Sequence, residues 1–245
     1  MEKAANPRVL VTGGGRRIGA AIAARLHGAG YDVAIHYRHS GAAAQALAAQ
    51  CNAARPGSAQ TFAADLDADA ASDRLIESVL DQCGRLDALV NNASRFFPTP
   101  IGSVGAAQWN ELFASNARAP FFLAQAAAPA LRQSRGCILN LIDIYAERPL
   151  RGHSVYCMAK AALAMMTRSL ARELAPDIRV NGIAPGAVLW PEAGSTESDQ
   201  AALIARTPLK RCGHPEDIAS AALFLLRDAP FVTGHILAVD GGRSL

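Results

Sequence analysis

No apolar run in this 245-residue sequence reaches the roughly 20 consecutive residues that a membrane-spanning helix needs, so no such helix is expected. The opening stretch, MEKAANPRVLVTGGG, lacks a signal-peptide pattern, and the expected location is the cytoplasm. Lys and Arg exceed Asp and Glu by 3 charges with no long basic run, so nucleic-acid binding has no compositional support. The five cysteines, Cys51, Cys83, Cys137, Cys157 and Cys212, are odd in number, scattered and free of C-x-x-C spacing. That argues against a disulfide framework and favours reduced, mostly buried thiols. Repeats, low-complexity linkers and internal domain boundaries are absent too, and the alanine-rich segments are helices by propensity. One domain over residues 1–245 is expected.

What is present is a globular chain, 51% apolar and 18% charged. Residues 8–12 (RVLVT) read as a strand. Gly13, Gly14, Gly15, Arg16, Arg17, Ile18 and Gly19 follow, and then a helix over 20–28. Strand, glycine turn and helix is the context of a phosphate-binding turn: backbone amides approach a pyrophosphate and the helix N-terminus adds favourable partial charge. Residues 31–37 (YDVAIHY) form a second strand, ending at Tyr37 and followed by Arg38, His39 and Ser40. A site for NAD usually carries an acidic residue there; three donors suit a 2′-phosphate instead. Helices are expected over 41–54 and 68–83. Strands are expected over 58–63, running on to Asp65 and Leu66, and over 86–90, running into Asn91, Asn92, Ala93 and Ser94. Phe96 and Phe97 then lie in a proline-flanked loop at a strand's C-terminal end, where ligands bind.

A helical stretch over 106–133 contains Asn116, and Pro120 and Pro129 predict a kink or break in it. A strand over 137–142 leads to Asp143, and a helix over 155–174 carries Tyr156 and Lys160. Four residues apart on a helix, Tyr156 and Lys160 share a face at about 5–6 Å. The ammonium is expected to favour the ionised phenol and pull the tyrosine pKa down, which suits a general acid. A sixth strand over 179–183 precedes Pro185 and Gly186. Residues 187–207, irregular and with Pro191 and Gly194 among them, are the candidate substrate-closing loop. A helix over 215–227 and a strand over 235–239 close the pattern. Alternation throughout predicts an α/β fold: a Rossmann-type, doubly wound parallel sheet of about seven strands with helices on both faces.

Thr12-Gly13 with Ile18-Gly19, Asn91-Asn92-Ala93, Asn116, Tyr156 to Lys160, Asn181 and Pro185-Gly186 occur in one order across nearly the whole chain. In this the sequence resembles the short-chain dehydrogenase/reductase family. Where that family usually has glycine this chain has Arg17, and where it usually has serine this chain has Asp143. Both departures, with HYRHS at 36–40, NNASRFFPTP at 91–100 and the tail VDGGRSL, resemble the pteridine reductase branch.

The resemblance implies a role for each residue. Gly13, Ile18, Gly19, Pro185 and Gly186 would belong to the cofactor site. Arg17 would reach across the pyrophosphate to the pterin. Tyr37, Arg38, His39 and Ser40 would hold the 2′-phosphate of NADPH. Asp65 and Leu66 would frame the adenine, and Asn91 and Ala93 the ribose side. Ser94 would bond pterin and cofactor phosphate, and Phe96 would stack on the pterin. Lys160 would hold the nicotinamide ribose, Asn116 a water relay, and Tyr156 with Asp143 would supply the proton. The implied activity is NADPH-dependent reduction of dihydropterins, with oxidised pterins and dihydrofolate as further candidates, by a homotetramer with no metal. Reduction of a ketone or 3-oxoacyl thioester on the same fold is one alternative, and a non-catalytic NADP-binding sensor is another. Arg17 and Asp143 count against the first, and the intact Asn116, Tyr156 and Lys160 set against the second.

Overall fold

The computed structural model describes residues 6–189 and 196–245. Seven strands pair in parallel in one sheet, in the order β3-β2-β1-β4-β5-β6-β7. They are β1 Arg8–Val11, β2 Asp32–Tyr37, β3 Ala59–Ala63, β4 Ala88–Asn91, β5 Cys137–Leu141, β6 Arg179–Pro185 and β7 Ile236–Val239. Strand order reverses between β1 and β4, where loops diverge and leave a crevice at the carboxyl ends.

Side chains alternate across each strand. Val9 and Val11 point to one side, into a core with Ile22 and Leu26 of α1 (Arg17–Gly28), Ala44 and Ala48 of α2 (Gly41–Ala54) and Ile218 and Ala222 of α8 (Pro215–Leu223). Leu10 points to the other side, against Leu75 and Val79 of α3 (Ala71–Cys83), Leu123 and Leu131 of α5 (Ala119–Ser134) and Leu170 of α6 (Ser154–Glu173). Both faces are therefore covered, and the central strands read as continuous apolar runs because neither face meets water.

The break in the helical stretch falls at neither proline. The chain runs as α4 Ala106–Phe113, a π-helical turn Ala114–Arg118 and then α5. Pro120 lies in the first turn of α5, directly after the π turn, and Pro129 is accommodated inside that helix. The π turn holds Asn116, whose side chain bonds the Leu112 carbonyl four residues back at 2.9 Å. The expectation of an irregular 187–207 is also corrected: α7 occupies Glu197–Ala205, its N-terminus capped by Thr196, whose Oγ1 accepts from the Asp199 N–H. Pro191 and Gly194 lie outside the described residues.

Candidate active site

The glycine turn is fixed by close approach. Gly13 has φ +60°, a left-handed conformation that favours glycine, and a Cβ at Gly19 would collide with the Gly13 carbonyl oxygen. His36 pins the turn from β2: Nδ1 accepts the Gly13 N–H at 3.2 Å, so its other nitrogen carries the proton and donates to Ala64 O at 3.1 Å. Burial lowers the His36 pKa and keeps the ring in this neutral form. Thr12 Oγ1 accepts the N–H groups of Asn92 (2.9 Å) and Ala93 (3.0 Å), tying the turn to the end of β4. Neither the His36 contact nor the Thr12 contacts follow from residue type alone, since both are cross-strand register effects.

Arg17 occupies the left-handed region too, at φ +52°. That conformation costs a non-glycine residue about 1–2 kcal/mol, so the turn keeps an arginine side chain at a position better suited to glycine.

A cleft of about 490 Å³ opens here, lined by Gly13, Arg17, Ile18, Gly19, Arg38, His39, Ser40, Asp65, Leu66, Ala93 and Ser94. Gly-rich backbone on one wall and cationic side chains on others fit a dinucleotide phosphate chain. Tyr37 lies at the end of β2, with its ring against Gly41. Arg38 is not alone at the strand end, as sequence reading implied. Asp65 Oδ2 lies 2.8 Å from it and Asp67 Oδ2 3.4 Å, both carried in from the end of β3. Asp67 also meets Arg95 at 2.6 Å, and Arg95 meets Glu111 at 2.7 Å.

The second cluster is buried. Tyr156 is 4% exposed and its hydroxyl donates to Asp143 Oδ2 at 2.7 Å. Asp143 stands just past β5, and its other oxygen accepts the Tyr145 N–H at 2.9 Å, capping the short 3-10 turn Ile144–Ala146. It is thus both a strand-end cap and the partner of Tyr156. Lys160, 2% exposed, donates to Leu141 O at 2.8 Å, and its Nζ lies 5.8 Å from the Tyr156 ring centroid.

The electrostatics correct the expected lowered tyrosine pKa. Burial and then the Asp143 carboxylate push the Tyr156 phenol well above its ordinary value. The Lys160 ammonium does not offset this, because burial is the largest influence on the phenol; burial also lowers the Lys160 pKa to about 8. Burial raises the Asp143 pKa. Tyr156 is therefore a protonated donor held against a carboxyl group that retains protons more readily than an exposed aspartate.

Two buried hydrogen-bonded sets aim these groups. Asn91 Nδ2 donates to Asn140 Oδ1 at 2.9 Å, and Asn140 Nδ2 donates to Thr167 Oγ1 at 2.9 Å, locking β4, β5 and α6 in register. Asn116 accepts from Ser94 Oγ at 2.7 Å and donates to Arg95 O at 2.9 Å, holding the loop after β4.

A family profile described as enoyl-(acyl carrier protein) reductase matches residues 14–244. Pteridine reductase 1 of Leishmania tarentolae is 39% identical over 98% of this chain and 96% of its own length. The 3-oxoacyl-(acyl-carrier-protein) reductase FabG of Staphylococcus aureus is 35% identical over 95% of this chain and 96% of its own. The chain belongs to the short-chain dehydrogenase/reductase family.

As a member of that family it is a nicotinamide-dependent oxidoreductase. Its sequence-selected residues fall into separate neighbourhoods. The glycine turn, Arg38 to Ser40, Asp65, Leu66, Ala93 and Ser94 line the cleft, while Asp143, Tyr156 and Lys160 form the buried cluster. Phe96 joins the second group, its ring perpendicular to that of Tyr156 with centroids 4.8 Å apart. Asn91 is buried beneath the cleft, with Oδ1 lacking a partner among the described residues. Pro185 and Gly186, at the end of β6, are outside the cleft lining, and Gly186 abuts Asp240. Asn116 makes no bond to Lys160 among the described residues. Asp67, Arg95 and His153 carry no role in the sequence reading, and His36 enters it only within the HYRHS run at 36–40; the basic character of Arg95, next to the strand-end motif, is the other signal.

Proposed function

We propose that this protein is an NADPH-dependent pteridine reductase acting on dihydropterins, with oxidised pterins and dihydrofolate in the same substrate class. The observation that carries the reading is the 2.7 Å hydrogen bond from Tyr156 to a carboxylate, Asp143. A ketone reductase stabilises a developing alkoxide, for which a hydroxyl donor suffices. Reducing a C=O or a C=N bond takes one hydride and one proton alike; at C=N the proton goes to a ring nitrogen, and a titrating carboxyl beside Tyr156 can resupply that donor.

A bound nicotinamide supplies the hydride. Tyr156 gives its phenolic proton to the ring nitrogen, and the Asp143 carboxylate, which burial makes a better proton acceptor, takes a proton from solvent and passes it to the phenolate oxygen. One hydride and one proton thus enter the substrate per turnover. Lys160 would hold the nicotinamide ribose, and Asn116, which accepts from Ser94 Oγ, would fix the Ser94 loop. Arg38, His39 and Ser40 would hold the 2′-phosphate, with Arg38 leaving Asp65 and Asp67 for the more highly charged partner.

A homotetramer fits exposed Trp109, Phe121, Phe122, Met158 and Met165, all on α4, α5 and α6. A reducing, cytoplasmic setting fits the five free thiols, and no helix of the described residues is long and apolar enough to cross a membrane. Steady-state NADPH oxidation with dihydrobiopterin and with an acetoacetyl thioester tests the function. Faster turnover of the dihydropterin supports it. Turnover of the thioester alone selects the ketone-reductase reading, and turnover of neither selects the sensor.

A further inference from the structure

Phe96 is half-exposed, yet it is not mobile-looking decoration on a loop. One face of its ring lies flat on His153, with centroids 4.6 Å apart and planes within 11°, and it stands perpendicular to the Tyr156 ring with centroids 4.8 Å apart. His153 stands at the N-cap position of α6, but its side chain makes no capping bond. Nδ1 instead donates to Arg151 O at 3.1 Å, which fixes the plane of the ring. The two segments are joined behind the rings. Fully buried Thr99 donates its N–H to Gly152 O at 2.6 Å, and its Oγ1 accepts the Val155 N–H at 3.3 Å. Thr99 and His153 pair as an isolated parallel bridge.

We propose that His153 is a positioning residue for the substrate. It backs one face of Phe96, so that only the opposite face is offered to a flat heteroaromatic ring, at a fixed angle to Tyr156. This rests on the pterin reading above and adds a residue to it. Aromatic pairs gain from offset or parallel stacking beyond the area they bury. Holding Phe96 in place beforehand also removes the entropy cost of ordering it when substrate arrives. Because the His153 side chain makes no capping bond, and among the described residues it stacks on Phe96 and bonds Arg151 O, its effect should appear in substrate affinity and leave the fold and the cofactor site alone.

The test measures KM and kcat for dihydrobiopterin, with NADPH Kd by fluorescence titration, in the parent, His153→Ala, His153→Phe, Phe96→Ala and the double alanine variant. For His153→Ala the expected result is a rise in KM of about 2- to 10-fold, a smaller fall in kcat and an NADPH Kd equal to the parent's. His153→Phe should recover most of the parent KM, since a flat ring again backs Phe96. The double variant should be no worse than Phe96→Ala. A parent KM in His153→Ala, failure of phenylalanine to rescue it, or full additivity with Phe96→Ala each overturns the proposal while leaving pterin reduction intact. A parent that does not reduce dihydrobiopterin at all overturns the pterin reading and the positioning role together.

Discussion

Arg38 and Lys160 are both cations at the carboxyl ends of one parallel sheet, and their surroundings differ in kind. Arg38 is partly exposed and shared between Asp65 and Asp67, which belong to a chain of ion pairs running on to Arg95 and Glu111. Lys160 is buried, with Leu141 O as its hydrogen-bond acceptor and Asp143 as the nearby opposite charge. Exposed pairs are each worth about 0–1 kcal/mol, so the Arg38 region can exchange a carboxylate for a phosphate at little cost. Around Lys160 water is excluded, and each charge shifts its neighbours' pKa values. The first region can adapt to what it binds, while the second is committed to one chemistry.

Changes in the buried cluster should therefore have the largest effects. Asp143→Asn keeps the shape and removes the titrating proton. Dihydropterin reduction should fall by about 10²–10⁴-fold with NADPH Kd near the parent value. Tyr156→Phe should be comparably slow, and the double variant little worse than the slower single one, because the two act as a unit. Full additivity in kcat would mean that they do not.

Lys160 gives a signature in stability. Its pKa falls from 10.5 unfolded to about 8 folded, a displacement worth about 3 kcal/mol. Between those pH values the unfolded chain binds the extra proton, so this group's contribution to stability rises with pH through the window and its burial cost is fully present below pH 8. Urea unfolding at a series of pH values should show that rise in the parent and its loss in Lys160→Met. An unchanged slope would place the ammonium in a wetter site than described.

On the adaptable side the effects should be smaller. Arg38→Asp should cut the preference for NADPH over NADH by about 10- to 100-fold, the worth of a charge-assisted bond, as read from paired Kd titrations. Equal affinity of the parent for both cofactors would remove the 2′-phosphate role. Arg17→Gly should lower pterin turnover without lowering stability. Relief of the left-handed strain, about 1–2 kcal/mol, offsets glycine's entropy cost of about 1 kcal/mol. A clear drop in Tm would show that Arg17 is held there for structure.

The fold was legible because alternation and strand-end motifs depend on local pattern. The helix at Gly41–Ala54 has the bounds its composition implies. Less legible were features set by contacts across the sheet. Asp67 and Asp65 reach Arg38 only because β3 lies beside β2. The helix break at Asn116 was assigned to prolines because a π turn carries no residue signature of its own. Spacing alone puts Tyr156 and Lys160 on one helix but points the tyrosine shift the wrong way. Spacing reports proximity and says nothing of burial, and burial outweighs the ammonium here.

The central claim is that the carboxyl group of Asp143 makes this site a reductase of C=N bonds. The most direct measurement is kcat for dihydrobiopterin in Asp143→Ser, with NADPH Kd as the control for folding. A fall of about 100-fold or more, at an NADPH Kd equal to the parent's, is the predicted result. A serine variant that reduces dihydrobiopterin as fast as the parent would contradict the claim and leave Asp143 as the cap of the turn that follows β5.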